Sequence, residues 1–321
     1  MNHFLNNLTF SLNATIPVFL MMVFGKLMII IGLLDEHTTK KLNQFVFKAL
    51  LPALLFMDLS TADFKAVWDT KFVLFCFFAT LISISIAVIF SVFHKDKSER
   101  GEIIQACYRS SAAILGIAFV KNIYGQSTMA ALMIAATVPL YNIAAVAILS
   151  ITAPENHNSG KSRTGLILNT IKNIAANPII LGILAGIIWS VLSIPQPVIL
   201  SKSVSYLGNM ATPLSLIALG ASVKGGEAKE KFPTAVWIAA VKLVLFCVIF
   251  LPVAVKLGFR GEKLIAILVM LGSATTGSCF VMSKNFGHNG TITACTVMLT
   301  TLLSAFTLTT WLFILKSLGY I

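Results

Sequence analysis

The sequence is built from long apolar segments separated by short polar connections along its whole length. The hydrocarbon core of a bilayer is about 30 Å thick, and a helix needs about 20 mainly apolar residues to cross it. By this measure about ten segments can span a membrane, near residues 11–33, 39–60, 71–93, 102–121, 128–150, 166–191, 203–222, 234–256, 263–283 and 290–315. Only 11% of the residues are charged, whereas soluble domains carry roughly 25%. The sequence therefore predicts an all-α polytopic membrane protein with ten transmembrane helices in the lipid bilayer.

The remaining polar residues exclude several other classes of protein. Basic residues outnumber acidic ones by 24 to 12, but they lie singly between apolar segments and form no patch for nucleic acid. The five cysteines lie in apolar segments without a CxxC pair, so neither a disulfide framework nor a metal site is expected. P-loop, HExxH and GxSxG motifs are missing, and the histidines fall in connections or termini, where we expect them to be solvated. We expect no enzyme, no cofactor and no nucleic-acid partner.

The positive charge is unevenly distributed between the connections. Lysine and arginine are more numerous in the odd-numbered connections than in the even-numbered connections and the termini. Loops rich in these residues stay in the cytoplasm. The sequence therefore predicts a multi-pass protein of the plasma membrane, with both termini extracytoplasmic and the central connection in the cytoplasm.

The two halves of the chain contain corresponding residues at a nearly constant separation: Pro17 and Pro178, Pro52 and Pro213, Lys121 and Lys284. We therefore predict a first five-helix repeat over residues 1–151, a short cytoplasmic linker over 152–164 and a second repeat over 165–321. Because five is odd, the second repeat must be inverted in the membrane. Inverted repeats of this kind are typical of secondary transporters.

The fourth and ninth predicted spans are each interrupted by small and hydroxyl residues at matching places. The fourth contains Arg109, Ser110 and Ser111, and the ninth contains Ala274, Thr275 and Thr276. Transporter sites lie at such discontinuous helices, whose ends can present N–H groups to an anion. Close packing of helices through small residues is the alternative explanation. The residues that we expect to mark helix breaks are Pro52, Pro213, Gly116 and Gly277.

Four basic residues lie within predicted spans: Lys26, Lys48, Arg109 and Lys242. A charge in the membrane costs a few kcal/mol and usually serves a function. Arg109 belongs to the polar interruption and Lys48 lies one turn before Pro52, so we expect these two to meet an anionic substrate. Lys26 and Lys242 fit a structural or snorkelling role. Acidic residues are nearly absent from the spans, which argues against a carboxylate-built sodium site or proton relay at the membrane centre.

Several motifs, in order along the chain, carry a resemblance to a known family: Asn43-Gln44-Phe45-Val46 before Leu51-Pro52-Ala53-Leu54-Leu55-Phe56, Gly116-Ile117 before Lys121 and Tyr124-Gly125, Asn177-Pro178-Ile179-Ile180-Leu181-Gly182, and Phe280-Val281 before Lys284. Together they resemble the second, fourth, sixth and ninth spans of the auxin efflux carrier family, which includes PIN-like carriers and bacterial malate-permease relatives.

The resemblance implies ten helices in two inverted sets of five, with broken helices four and nine crossing at the substrate site. It further implies elevator-like movement, organic anions as cargo and frequent dimer formation. Tyr141 and Asn142 lie where the family lines its pocket. Asp69 resembles the acid of a supporting site, with Lys71 as the candidate basic partner. The prolines that the family places at the crossovers are replaced here by hydroxyl and small residues.

These features together predict a carrier that moves a small organic anion, such as a carboxylate, by alternating access. The expected binding residues are Lys48, Arg109, Ser110, Ser111, Tyr141, Asn142, Ala274, Thr275 and Thr276. The alternatives are a sodium-coupled symporter of the bile-acid type, a non-transporting receptor with a transporter fold, and a channel.

Overall fold

The computed structural model describes residues 2–61, 68–125, 128–154, 171–172 and 174–321. Every regular element in these ranges is helical. The α-helices are α1 (Asn2–Ile30), α2 (Glu36–Phe45), α3 (Leu51–Ser60), α4 (Thr70–Val92), α5 (Arg100–Tyr108), α6 (Ala112–Tyr124), α7 (Thr128–Ile151), α8 (Pro178–Val191), α9 (Val198–Ser222), α10 (Gly225–Ala240), α11 (Phe246–Lys256), α12 (Gly261–Gly272), α13 (Ser278–Asn285) and α14 (Thr291–Ser317). One π-helical turn, Val46–Leu50, joins α2 to α3, and another, Val241–Leu245, joins α10 to α11.

Seven helical segments among the described residues are long and apolar enough to cross a membrane: Leu8–Ile30, Glu36–Ser60, Thr70–Val92, Thr128–Ile151, Val198–Ser222, Gly225–Lys256 and Thr291–Ser317. Helix α8 is a shorter apolar helix of 14 residues. The spans predicted over 102–121 and 263–283 are each divided into two short helices, α5 with α6 and α12 with α13. The all-helical, multi-span prediction is confirmed. The ten-helix inverted topology stays a prediction.

The two interruptions lie at residues 109–111 and 273–277. Arg109 has φ −74° and ψ 128°, and Ser273 has φ −79° and ψ 164°, so both leave helical geometry for extended backbone. Gly277 borders the second interruption as the N-cap of α13. Of the four expected break residues, Gly277 alone lies at one of these two interruptions.

The other three expected break residues lie inside continuous helices. Gly116 belongs to α6, Pro213 to α9 and Pro52 to α3. The helix passes Pro52 because the π turn just before it widens the backbone spiral: the N–H of Leu51 donates to the carbonyl of Val46, five residues back. A local widening of this kind relieves the clash that a proline ring makes with the preceding turn.

A first bundle is formed by α1, α2, α3, α8 and α9, in which helices of the two halves pack reciprocally. Helix α1 lies along α9, and α8 lies along α3. A Cβ atom added to Gly220 would lie 1.8 Å from the Met22 carbonyl oxygen, and one added to Gly182 would lie 2.6 Å from that of Pro52. Glycine is required at both contacts because the backbones approach so closely.

A second bundle is formed by α4–α7 and α10–α14, and it contains two reciprocal helix caps. The Glu102 carboxylate of α5 accepts the N–H groups of Gly290 and Thr293 at the start of α14, at 2.7 and 3.1 Å. The Glu262 carboxylate of α12 accepts the Met129 N–H at the start of α7, at 2.8 Å. Each half therefore stabilises the positive N-terminal end of a long helix in the other half.

Two ion pairs also join the halves, each with its acid in the first half and its lysine in the second. Asp69 before α4 pairs with Lys263 of α12, and Glu99 before α5 pairs with Lys231 of α10 at 2.9 Å. Helix α7 ends at Ile151, where the predicted first repeat ends. Most of the predicted linker, 152–164, lies outside the described residues, so the division into two repeats stays a prediction.

Candidate functional site

The two interruptions contact each other, and we call the residues 109–111 and 273–277 the crossing. The N–H of Ser111 donates to the Ala274 carbonyl at 2.8 Å. The hydroxyl of Thr275 donates to the Ala106 carbonyl at 2.9 Å, and its N–H donates to the Thr300 hydroxyl at 3.0 Å. Backbone groups freed by a helix break inside a membrane need such partners. The small and hydroxyl residues of the two interruptions therefore let the broken helices satisfy each other.

Arg109 brings a positive charge into this buried region, where 3% of the residue is exposed. Its guanidinium donates to the Asn142 amide oxygen at 2.9 Å, to the Ser278 hydroxyl at 3.0 Å and to the sulfur of Met282. Its Nε atom has no partner among the described residues. No described carboxylate forms an ion pair with it. Arg109 is therefore a buried cation held by neutral groups, an arrangement that favours an anion in its vicinity.

The N-terminal ends of α6 and α13 both lie at the crossing. The side chain of Ser111, the N-cap residue of α6, accepts no hydrogen bond from that helix, and the N-cap residue of α13 is Gly277, which has no side chain to accept one. Helix N-termini carry partial positive charge and bind anions through their N–H groups. The hydroxyl of Ser278, the first residue of α13, contacts Arg109 and lies 3.3 Å from the Thr276 hydroxyl. The positive end of α13 and the guanidinium therefore lie together.

A cavity of about 20 Å³ lies between the crossing and the first bundle. The crossing contributes Ser111, Ala274, Thr275, Thr276 and Gly277 to its wall, and α1, α9 and α14 contribute Thr15, Thr212 and Thr301 among others. A space of this size holds about one water molecule. The polar wall is suited to a hydrogen-bonding ligand, but a larger ligand needs the bundles to separate first.

A second and much larger cavity, which we call the vestibule, measures about 1040 Å³. It lies between the two bundles, with the ends of α1, α2, α8 and α9 on one side and those of α7, α13 and α14 on the other. Its charged lining residues are Lys26, Lys40, Lys224, Lys284, Asp35, Glu36 and Glu227. These residues lie beside connections that are predicted from loop charge to be cytoplasmic.

Most of the predicted binding residues are brought together. Tyr141 packs against Tyr108, with ring centroids 5.8 Å apart, and its hydroxyl lies 3.4 Å from the Met270 carbonyl oxygen. Asn142 holds Arg109, and Ser110 donates to the Met270 carbonyl. The structure does not bring Lys48 to them. Its side chain is exposed and contributes to the wall of neither cavity.

The expected supporting pair has a different basic member. Asp69 pairs with Lys263, whereas Lys71 donates to the Leu257 carbonyl at 2.5 Å. Asp69 is also the N-cap of α4 and accepts the Phe72 N–H at 3.0 Å. The hydrogen bonds from Lys263 and from the Phe72 main chain hold the pKa of this carboxyl below its usual range.

Some residues of the crossing region were not foreseen as parts of a site. Lys242, Ser278 and Met282 all contact its members. Lys242 stood out in the sequence as a lone charge in a span, but nothing there indicated the direction of its side chain. His288, expected to be solvated, is 2% exposed, and its ring nitrogens lie 3.0 and 3.2 Å from main-chain carbonyl oxygens.

Two kinds of comparison with known proteins agree with this picture. A family model described as "Membrane transport protein" matches residues 10–312. A protein of Rhizobium meliloti described as a "Putative malonate transporter" is 25% identical over 282 residues, covering 86% of this chain and 87% of that protein. An "Uncharacterized transporter" of Methanothermobacter thermautotrophicus is 21% identical over 253 residues, covering 78% and 80%. The family match spans nearly the whole chain and confirms the transporter family that the sequence motifs indicated. The chain belongs to the membrane transport protein family, as a multi-span member.

Proposed function

We propose that the protein is a secondary carrier that moves a small organic anion, such as a carboxylate, across the plasma membrane by alternating access. The observation that carries this proposal is Arg109, a buried cation without a described counter-charge at the place where two helices are broken. A buried charge in that position costs folding free energy, which is explained if the charge serves to bind an anion. Malonate is the first candidate because it is named for a relative that covers most of the chain.

In this proposal the carboxylate binds at the N-terminal end of α13. Arginine presents two parallel N–H donors that match the two oxygens of a carboxylate. The Nη2 atom of Arg109 donates to the neutral oxygens of Asn142 and Ser278, which an anion can replace, and Nε beside it has no partner among the described residues. Thr276 and Ser111 supply polar groups from the wall of the small cavity. Lys48 has no part in the proposed binding site because its side chain is exposed.

We further infer ten spans arranged as two inverted repeats, with the broken fourth and ninth spans crossing at the site. The reciprocal packing of α1 on α9 and α8 on α3 supports this symmetry. So do the paired caps at Glu102 and Glu262, which occupy equivalent places at the start of α5 and α12. Inverted repeats give a carrier two states of similar energy, open to opposite sides.

The vestibule supports alternating access as the mechanism. The vestibule, a cavity of about 1040 Å³, lies between the bundles on one side, whereas the cavity at the crossing measures only about 20 Å³. With the orientation predicted from loop charge, the vestibule faces the cytoplasm and both termini are extracytoplasmic. An elevator-like shift of the second bundle against the first would carry the crossing between the two sides. A dimer held together by its first bundles would give the moving bundle a fixed support.

The proposal is tested with purified protein in liposomes. Uptake of radiolabelled malonate is measured against unlabelled internal malonate, with protein-free liposomes as the control. We expect exchange that saturates with malonate and is inhibited by related carboxylates. Absence of flux for every carboxylate tested, from protein that elutes as a single folded species, would contradict the proposal.

The same preparation separates the alternatives. Replacing sodium by choline leaves transport unchanged for a carrier without sodium coupling, whereas a symporter of the bile-acid type loses binding and flux. Malonate binding without flux favours a receptor with a transporter fold. Single-channel currents across a planar bilayer favour a channel.

A further inference from the structure

Lys242 lies at the crossing and contacts both broken helices. It belongs to the π turn Val241–Leu245 and is 0% exposed. Its ammonium group donates to the Tyr108 carbonyl at 3.3 Å, to the Leu271 carbonyl at 3.2 Å and to the hydroxyl of Ser110. The two carbonyls belong to the last turns of α5 and α12. One side chain therefore joins the C-terminal ends of both half-helices.

The three partners of Lys242 indicate that it carries its positive charge in this state. The two carbonyl oxygens can only accept, and the Ser110 hydroxyl directs its own proton to the Met270 carbonyl. Three acceptors around one nitrogen match an ammonium group, which has three donors and no acceptor. No described carboxylate pairs with this lysine. The charge is therefore compensated by main-chain carbonyls and a hydroxyl.

The last carbonyls of a helix lack intrahelical partners and form the negative end of its dipole. At the crossing, α5 and α12 bring two such negative ends into the same region as the positive N-terminal ends of α6 and α13. Without compensation the four ends would largely cancel, and the region would not favour an anion. Lys242 covers the two negative ends, so the positive charge of Arg109 and of the two N-terminal ends is not cancelled.

The π turn that carries Lys242 is fixed from its other side. The indole N–H of Trp311 in α14 donates to the Leu243 carbonyl at 3.1 Å. A π turn leaves carbonyls without their usual partner, and such turns are frequent at functional sites. Snorkelling to the membrane surface is excluded for Lys242 because its side chain is fully buried among the broken helices.

We propose that Lys242 determines the preference for anions: its ammonium group neutralises the C-terminal ends of α5 and α12 and positions the crossing so that only positive helix ends face the cargo. This inference rests on the proposed function for its selectivity part. The positioning part concerns the broken helices themselves and can be tested without any cargo.

The experiment compares Lys242→Met with Lys256→Met, a matched control. Lys256 lies in the same membrane segment but is exposed, so its replacement removes one positive charge without touching the crossing. The first measurement is hydrogen–deuterium exchange of residues 106–114 and 270–280 without cargo. We expect faster exchange than in the wild type in both segments of Lys242→Met and unchanged exchange in both segments of Lys256→Met. The second is malonate affinity by calorimetry, where we expect a loss of about tenfold for Lys242→Met.

The outcomes separate this inference from the proposed function. Unchanged exchange in both segments together with unchanged malonate affinity overturns the role of Lys242. Wild-type protein that binds no carboxylate contradicts the proposed function, while the exchange measurement still decides the positioning role. Should Lys242→Met fail to fold, Ser110→Ala removes one acceptor of the ammonium and keeps the charge. Faster exchange in both segments of that variant supports the inference, and unchanged exchange there overturns it.

Discussion

Replacing Arg109 by methionine removes the buried guanidinium and keeps an unbranched apolar side chain that fills the space of the arginine stem. In the proposed complex the carboxylate accepts from Nε, which has no partner among the described residues, and from Nη2, which now donates to Asn142 and Ser278. A hydrogen bond to a charged group contributes about 1.5–3 kcal/mol. The loss of a two-bond carboxylate contact is therefore expected to cost about 3 kcal/mol, or roughly a hundredfold in Kd. Arg109→Lys keeps the charge but not the planar pair of donors, so its loss should be smaller, near tenfold.

Without cargo, the same substitution is not expected to lower the stability of the fold. A buried charge without a counter-ion costs several kcal/mol of folding free energy, and methionine removes that cost. The substitution also removes the donor that Asn142 and Ser278 now accept from. This loss costs about 1–3 kcal/mol of folding free energy in total, because Ser278 keeps its contact with Thr276. We therefore expect Arg109→Met to melt no lower than the wild type while the temperature shift caused by malonate disappears.

The assay combines calorimetric Kd, uptake into liposomes and thermal melts with and without malonate. Lys316→Met is the control because Lys316 is exposed at the end of α14 and its replacement removes the same charge. A Kd for Arg109→Met within about threefold of the wild type would refute the reasoning that this guanidinium holds the cargo. A large drop in melting temperature without cargo would show that the charge is compensated within the fold.

Three further substitutions test other parts of the argument. Asp69→Asn keeps the cap of α4 but breaks the pair with Lys263, so it should cost less than about 1 kcal/mol, since both side chains are partly exposed. The pair lowers the pKa of Asp69 in the folded protein. Its contribution to stability is therefore present above the pKa of the unfolded carboxyl and is lost as the pH falls through the lower pKa of the folded state. The difference in melting temperature between Asp69→Asn and the wild type should accordingly shrink below about pH 4. Gly220→Ala should lower stability by about 1–3 kcal/mol or abolish folding in a detergent melt, whereas Gly225→Ala, where a Cβ meets nothing within 4 Å, should not. Lys48→Met should leave malonate Kd unchanged, and a loss of affinity would return this lysine to the site.

The sequence alone was sufficient to locate the two interruptions. Runs of small and hydroxyl residues mark places where a helix can stop and its backbone can be satisfied by close neighbours, as the N–H groups of Ser111 and Thr275 are here. Proline was a poorer guide, because a single missing N–H does not end a helix that is held by packing on both sides. Pro213 therefore lies within a helix of 25 residues.

The directions of the membrane lysines could not be predicted, and the two π turns explain why. Lys48 belongs to the π turn Val46–Leu50 and Lys242 to the π turn Val241–Leu245. A π turn holds one more residue than an α-helical turn, which rotates the following side chains by about 100°. The ordinary helical period therefore does not give the direction of side chains near these residues. Lys48, expected at the substrate site, is exposed, whereas Lys242, expected to be structural or snorkelling, is buried at the crossing.

The distribution of charged contacts at the level of the crossing bears on the proposed elevator-like movement of the second bundle. Arg109 binds groups of α7 and α13, and Lys242 binds the ends of α5 and α12, all within the second bundle. The facing helices of the first bundle offer neutral groups, such as Ser11, which lies 3.0 Å from the Thr309 hydroxyl of α14. Breaking neutral contacts costs far less than separating buried charges from their partners. A shift of the second bundle would therefore keep both cations and their helix ends together, so an anion bound at Arg109 would travel with its complete set of contacts.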